Sequence, residues 1–376
     1  MRSVLHVVGA RPQFVKAAVV LAAAGDRARH RLLHTGQHYD ANLSQIFFDE
    51  LGMAPPDYAL GVGSGGHGAQ TGAMLAAIEQ VIEADRPSVM VVYGDTNSTL
   101  AGALAAAKLH LPVVHVEAGL RSFDRRMPEE INRIATDHVS DVLLCPTQGV
   151  VEQLHREGIG GAADVRRVIF TGDVMLDLAR RAARSVPTQT SIGRWLADPT
   201  GEPPAPLADL PAEAARPRGF AVATLHRAAN TDEPARLAGL LTALGDLPWP
   251  VLLPLHPRTR HAMDRAGLEP PARVVVVDPV GYLDFAALLT GCALVLTDSG
   301  GVQKEALFAE RPCVTLRDTT EWPETLAGGW NVLVDADPDA LRAAARKPPP
   351  STPPPVEAFG DGEAATAVIR AIDALG

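Results

Sequence analysis

The sequence predicts an α/β fold built from two Rossmann-like, doubly wound domains. Short β-branched apolar runs alternate with Ala/Leu-rich helical patterns along most of the chain. The runs are continuously apolar, which means burial on both faces and hence parallel sheets covered by helices. At 376 residues the chain exceeds one core, and its runs fall into two sets.

The first set is residues 4–8, 31–34, 89–93, 112–116, 142–145 and 167–170. The second is 220–224, 251–255, 274–277, 294–297, 313–316 and 331–334. The predicted N-terminal domain is therefore 1–173 and the C-terminal one 174–357. A Pro/Ala-rich insertion near 197–218 reads as a surface insertion or a partly mobile segment. A last helical pattern, 358–376, follows the proline-rich 347–355 and can pack back on the first domain.

The formal net charge of -10 argues against a broad nucleic-acid or anionic-membrane surface. The three cysteines (Cys145, Cys292, Cys313) show no zinc, redox or disulfide spacing, which fits a reducing compartment. The start of the chain lacks a signal-peptide pattern, and no run approaches the roughly 20 apolar residues of a membrane span. A cytoplasmic protein with no membrane partner is expected.

The chemistry-bearing residues fall at strand ends, where open parallel sheets bind ligands. After the first strand, Gly9-Ala10-Arg11-Pro12-Gln13 opens a helix carrying Lys16. Gly9 permits a tight turn, and Arg11 and Lys16 flank a helix start that can hold an anion. A plain βα turn with two surface cations explains the motif equally well. Tyr93-Gly94-Asp95-Thr96 ends the third run; Asp95 or Thr96 can simply cap the next helix. The next run ends in Glu117, so two strand-end acids face one place.

His115–Arg133 is the densest stretch, with four arginines and four carboxylates, of which Glu117, Glu129 and Glu130 are the candidates. Pro128 suits the first turn of a helix. Ile131, Ile134, Ala135, His138 and Val139 share one face and are expected to pack on the sheet. Glu129 lies nearly opposite. Its plain role is to favour the helix dipole and pair with Arg133, and Glu130 reads as a helix-start charge.

In the second half, His226-Arg227 and His256-Pro257-Arg258 end neighbouring strands and suggest an anionic substrate. No third ligand stands at metal spacing, so no metal is inferred. Thr297-Asp298-Ser299-Gly300-Gly301 ends a strand and starts a helix, where Ser299 and backbone N–H groups can cradle a diphosphate and Glu305 can meet ribose hydroxyls. Neither the ATPase lysine loop nor the dinucleotide glycine pattern is present.

Together, GARPQFVK, HTGQHYD, GDTNSTLAG, HVEAGLRS with MPEEINR, TLHRAAN, DSGGVQKEA and RDTTEWPE resemble the non-hydrolysing UDP-N-acetylglucosamine 2-epimerases, in order over residues 9–324. The resemblance implies the GT-B architecture, two Rossmann-like domains facing across a cleft that holds a UDP-sugar. It implies catalytic roles for Asp95, Glu117, Glu129 and His226. It implies UDP-sugar contacts from Arg11, Lys16, Arg133, His256, Phe285, Ser299, Gly300, Gly301 and Glu305, a homodimer, and no cofactor or metal.

Three departures stand out. Gln13 replaces the family's usual acid. Gln37-His38 is followed by Tyr39-Asp40, unlike members activated by their own substrate. Trp322 replaces an arginine, a feature nearer a branch acting on UDP-2,3-diacetamido-uronates.

The implied reaction is reversible C2 epimerisation, UDP-N-acetylglucosamine to its manno isomer first and a diacetamido-uronate second. The C2 proton is not acidic, so its removal is coupled to loss of UDP. The resulting 2-acetamidoglucal takes UDP back with a proton on the opposite face, which needs an acid and a base. A GT-B glycosyltransferase, a hydrolysing epimerase and a catalytically silent UDP-sugar binder are the rivals. A nucleotide-dependent dehydrogenase is weaker, for want of the glycine pattern.

Overall fold

A computed structural model describes residues 3–25, 29–37 and 52–375, without the side chains of Arg11 and Arg29. The chain forms two compact units, one of Met1–Leu178 with Glu357–Gly376 and the other of Ala179–Val356.

In the first unit the strands are β1 (Ser3–Val8), β2 (Arg29–His34), β3 (Tyr58–Ala59), β4 (Val89–Tyr93), β5 (Val113–Val116), β6 (Val142–Cys145) and β7 (Arg167–Phe170). All described pairings are parallel, in the order β3-β2-β1-β4-β5-β6-β7. The order reverses between β1 and β4, so the loops after those strands flank a topological switch point. The helices are α1 (Arg11–Ala24), α2 (His67–Asp85), α3 (Asn97–Lys108), α4 (Pro128–Val139) and α5 (Gln148–Arg156). Leu5, Val7, Met90 and Val92 pack with Met74, Ile78, Ala103 and Ala106 into one core face.

The buried positions of the central strands β1, β4 and β5 are apolar on both faces except at His6 and His115. His6 Nδ1 lies 2.7 Å from the Tyr93 hydroxyl and its Nε2 2.8 Å from His30 Nδ1. Burial raises the Tyr93 phenol, so it keeps its proton and the three side chains form one buried hydrogen-bonded chain. Burial above all, then His30, holds His6 well below 6.5, and burial lowers His30 and His34 too. Between the lowered folded values and 6.5 the unfolded chain binds more protons. Stability is therefore complete above that value and falls as pH drops below it. Thermal melts between pH 7.5 and 5 test this: the melting temperature should fall on acidification, more shallowly for His6→Gln. An equally steep fall in the variant would refute it.

The second unit repeats the plan with β8 (Ala221–Thr224), β9 (Val251–Pro254), β10 (Val274–Val277), β11 (Leu294–Thr297), β12 (Cys313–Thr315) and β13 (Asn331–Leu333). Its order, β10-β9-β8-β11-β12-β13, reverses between β8 and β11. The helix α6 (Val174–Gln189) contains the division between the units. It is followed by α7 (Ser191–Ala197), α8 (Ala228–Thr231), α9 (Pro234–Gly245), α10 (Pro257–Ala266), α11 (Tyr282–Gly291), α12 (Gly300–Phe308) and α13 (Pro338–Ala345). The proline-rich stretch after α7 buries Leu207, Leu210, Ala214 and Ala215 and makes one 3-10 turn, Leu207–Asp209. In the first unit, α14 (Ala364–Asp373) packs on α1, and Asp177 accepts from the Ala364 and Ala365 N–H groups at its start.

The structure corrects one expected face. Ile131 and His138 on α4 are exposed and Ile134 and Ala135 are only half-buried, while Val139, also half-buried, does pack against the core. The buried face is polar: Glu130, Asn132, Arg133, Thr136 and Asp137. An amphipathic pattern states that a helix has two faces; here the polar one finds charged and hydrogen-bonding partners in the strand-end loops, so it is the one turned inward.

Candidate functional site

At the β1–α1 turn, a Cβ on Gly9 would meet Ser98 Oγ at 2.0 Å and Thr35 Oγ1 at 2.2 Å, so glycine is required by close approach. Gln13 explains its own presence. Its Oε1 accepts from the Gly9 and Ala10 N–H groups at 2.7 and 3.1 Å, and its Nε2 donates to Tyr93 O and Thr99 Oγ1 at 2.8 and 2.9 Å. A carboxylate would lack the two donors, so the amide ties the β1 and β4 loops together.

Lys16 forms an ion pair with Glu117, both side chains nearly buried. It is not a surface cation. Glu117 has φ 67°, the left-handed region that a non-glycine residue enters at a cost of about 1–3 kcal/mol. One strand over, Thr96 caps α3 by accepting from Thr99 N–H, so Asp95 is not spent on the cap. Asp95 instead meets Arg133 of α4, and its carbonyl accepts from Asn132 Nδ2 at 3.0 Å. The predicted residues Lys16, Asp95, Glu117 and Arg133 thus come together in two ion pairs around the first switch point. Glu129 is half-buried in the first turn of α4. The Arg11 side chain and residues 38–40, including the departure at Tyr39-Asp40, lie outside the described residues.

Glu130 corrects the reading as a helix-start charge. It is 1% exposed and accepts from Ser122 N and Oγ, Phe123 N and Arg133 Nη1 at 2.8–3.1 Å. It shapes the 120–123 loop and steadies Arg133 for Asp95. Beneath lies a second layer that sequence reasoning missed. Asp137 holds His115 and Arg121, and Arg121 forks onto Glu157 at 2.8 and 2.6 Å. Burial pushes the Asp137 carboxyl up, but bonds and charge from His115 and Arg121 outweigh it and hold it below the ordinary range. The available signal was the spacing Glu130, Arg133, Asp137, a polar stripe at helical period.

In the second unit the site is built around Asp298, which is fully buried at the end of β11. It accepts from the N–H groups of His226 at 3.0 Å and Arg227 at 2.9 Å and from Asn230 Nδ2 at 3.1 Å. His226 Nδ1 also faces it at 3.2 Å. Asp298 therefore fixes the β8 loop and aims its histidine, a role not read from the sequence. The His226 and His256 rings lie 5.4 Å apart, and His256 caps α10 by accepting from Arg258 N–H.

Ser299 occupies the N-cap position of α12 but makes no side-chain capping bond. A Cβ on Gly301 would meet only Ser299 Oγ at 4.0 Å, and one on Gly300 only ordinary contacts. Packing within the protein does not demand these glycines, which leave the helix start open to a ligand. Glu305 lies one turn further and is half-buried, while Phe285 is buried in α11. Trp322 lies under Lys304, whose ammonium sits 3.6 Å from the ring centroid. Arg317 forks onto Glu321 beside it. Among the described residues there is no group of three or more His, Cys, Asp or Glu side chains arranged to hold a metal, and no helix long and apolar enough to cross a membrane.

Comparison with known proteins places this arrangement. The sequence model of the UDP-N-acetylglucosamine 2-epimerase family matches residues 22–373. A UDP-2,3-diacetamido-2,3-dideoxy-D-glucuronate 2-epimerase of Pseudomonas aeruginosa is 50% identical over 348 residues, 91% of each chain. A UDP-N-acetylglucosamine 2-epimerase of Methanococcus maripaludis is 36% identical and covers 97% of each. Among solved structures, the Methanocaldococcus jannaschii UDP-GlcNAc 2-epimerase in complex with UDP-GlcNAc and UDP superposes with a TM-score of 0.87, at 35% identity and with full coverage of both chains. With strand-end acids at one switch point and an open helix start at the other, and with relatives matched over nearly the whole length, this chain belongs to the UDP-N-acetylglucosamine 2-epimerase family.

Proposed function

We propose that the protein reversibly inverts C2 of a UDP-2-acetamido sugar by eliminating and re-adding UDP. The observation that carries this is the pair of strand-end carboxylates, Asp95 and Glu117, each held by a buried cation at the first switch point. Asp95, Glu117 and Glu129 serve the proton transfers at C2. His226, aimed by Asp298, and the Ser299–Gly301 helix start stabilise the diphosphate as the C1–O bond breaks. Arg11, Lys16, Arg133, His256, Phe285 and Glu305 complete the contacts to the UDP-sugar. UDP leaves with the C1–O electron pair, the base takes the C2 proton, and the double bond forms between C1 and C2. Re-addition reverses these changes with a proton on the other face.

Two sugars fit. The half-identical Pseudomonas relative and Trp322 favour a UDP-2,3-diacetamido-uronate. The Methanococcus relative favours UDP-N-acetylglucosamine and its manno isomer. Incubation in D2O with both sugars, followed by NMR, tests the reaction and ranks the substrates. Deuterium should enter C2 of the UDP-sugar pool. Retention of that C–H with transfer to an acceptor would make the protein a glycosyltransferase, and tight UDP binding with no turnover of either sugar would make it a sensor.

We also propose a homodimer. Phe123 and Ile131 are exposed large apolar side chains of the first unit, the kind of surface that a second copy would cover. Light scattering should give twice 39.6 kDa; a mass of one chain at micromolar concentration would count against it.

A further inference from the structure

His115 has no part in the proton transfers described above, yet it is fully buried directly beneath the two acids that do. It lies on β5, two residues before Glu117, beside Val92 of β4. Its Nε2 is 2.7 Å from the Gly94 carbonyl and its Nδ1 2.7 Å from Asp137 Oδ1. A carbonyl oxygen can only accept, and so can a carboxylate. No neutral tautomer of imidazole satisfies both, because each has one donor and one acceptor nitrogen. Rotating the ring by half a turn does not help, since it turns carbon atoms toward both acceptors and makes neither bond.

The same two residues grip both flanks of the left-handed Glu117. His115 ties the incoming strand to the Gly94 turn, which also donates its N–H to Val116 O at 3.0 Å. Asp137 receives the Gly119 N–H at 3.2 Å, two residues beyond Glu117. Arg121, braced by Glu157, holds Asp137 from the other side. A non-glycine residue stays in the left-handed region only where its surroundings over-determine it, and these are those surroundings.

We propose that His115 is a positioning residue, held as a doubly protonated imidazolium by Asp137, which locks the backbone at Glu117 and the Gly94–Asp95 turn in register. The inference rests on the catalytic role proposed for Glu117. Its consequence is that the geometry of both acids depends on one buried cation that touches neither substrate nor UDP.

Neutron diffraction from perdeuterated crystals of the full chain reads the protonation directly. Deuterium is expected on both Nδ1 and Nε2 of His115; density on only one nitrogen overturns the proposal. His115→Gln and Asp137→Asn test the positioning. In crystals of either variant, residue 117 should leave the left-handed region. In folded protein, kcat for C2 deuterium exchange should drop on the order of 100-fold, with KM and the UDP dissociation constant unchanged. Wild-type kcat in folded His115→Gln, or an undisturbed φ at residue 117 in both variants, would also overturn it. Where neither variant folds, the neutron result decides. A wild-type protein that exchanges no C2 proton defeats the assigned reaction, while the neutron and φ readings still judge His115.

Discussion

Replacing Glu117 by Gln should reduce C2 deuterium incorporation by roughly 100- to 10,000-fold, the usual loss when a general acid or base is removed, while UDP still binds. The amide keeps the size and one acceptor oxygen but cannot take or give the C2 proton. It also leaves the nearly buried Lys16 ammonium without its counter-charge. Breaking a buried pair by removing one partner costs about 3–5 kcal/mol, so the melting temperature should fall as well. The double variant Lys16→Met, Glu117→Gln separates the two effects. It should recover most of the melting temperature and none of the exchange. Recovery of exchange in the double variant, or wild-type exchange in the single one, would show that Glu117 serves structure alone.

The second large effect concerns the other switch point. Asp298→Ala removes the acceptor for the His226 and Arg227 N–H groups and for Asn230. Each hydrogen bond to a charged group contributes about 1.5–3 kcal/mol, and leaving its buried donor unsatisfied costs a similar amount. The variant should melt well below the parent and bind UDP poorly, because the β8 loop and its histidine lose their anchor. Gly301→Ala is the matched control. Its methyl has open space, and alanine in a helix is favoured over glycine by about 0.5–1 kcal/mol. It should melt at or slightly above the parent temperature and still lose UDP affinity, because the methyl enters the ligand's space. Calorimetric titration with UDP, beside thermal melts, reads both. Unchanged UDP affinity in Gly301→Ala would show that the helix start is not the diphosphate site.

The two variants differ in the way that sequence and structure differ as sources of information. The Ser-Gly-Gly helix start is a local pattern, and it was legible at once because its meaning lies in neighbouring residues. Asp298 stands in the same motif, yet its partners are about seventy residues away and its role appears only when β8 and β11 lie side by side. The helix α4 shows the same limit more sharply. Its amphipathic period was read correctly and its buried face was not. Period is set by the helix itself, whereas burial is set by what the strand-end loops offer. Here they offer Ser122, Asp95 and Asn97 to Glu130, Arg133 and Asn132.

By itself the sequence determined the α/β class, the two parallel sheets with the positions of all their described strands but the two-residue β3, and the motif order that marks the family. Continuous apolar runs, glycine turns and helix starts are short-range properties that survive without coordinates. Only the tertiary structure decided that Lys16 is spent on Glu117 and that Gln13 donates to the β4 loop. It alone turned the polar face of α4 inward and placed His115 between two acceptors. Each of these depends on hydrogen bonds or ion pairs between residues distant in the chain. Their strength comes from burial, which removes competing water and makes an unpaired charge costly.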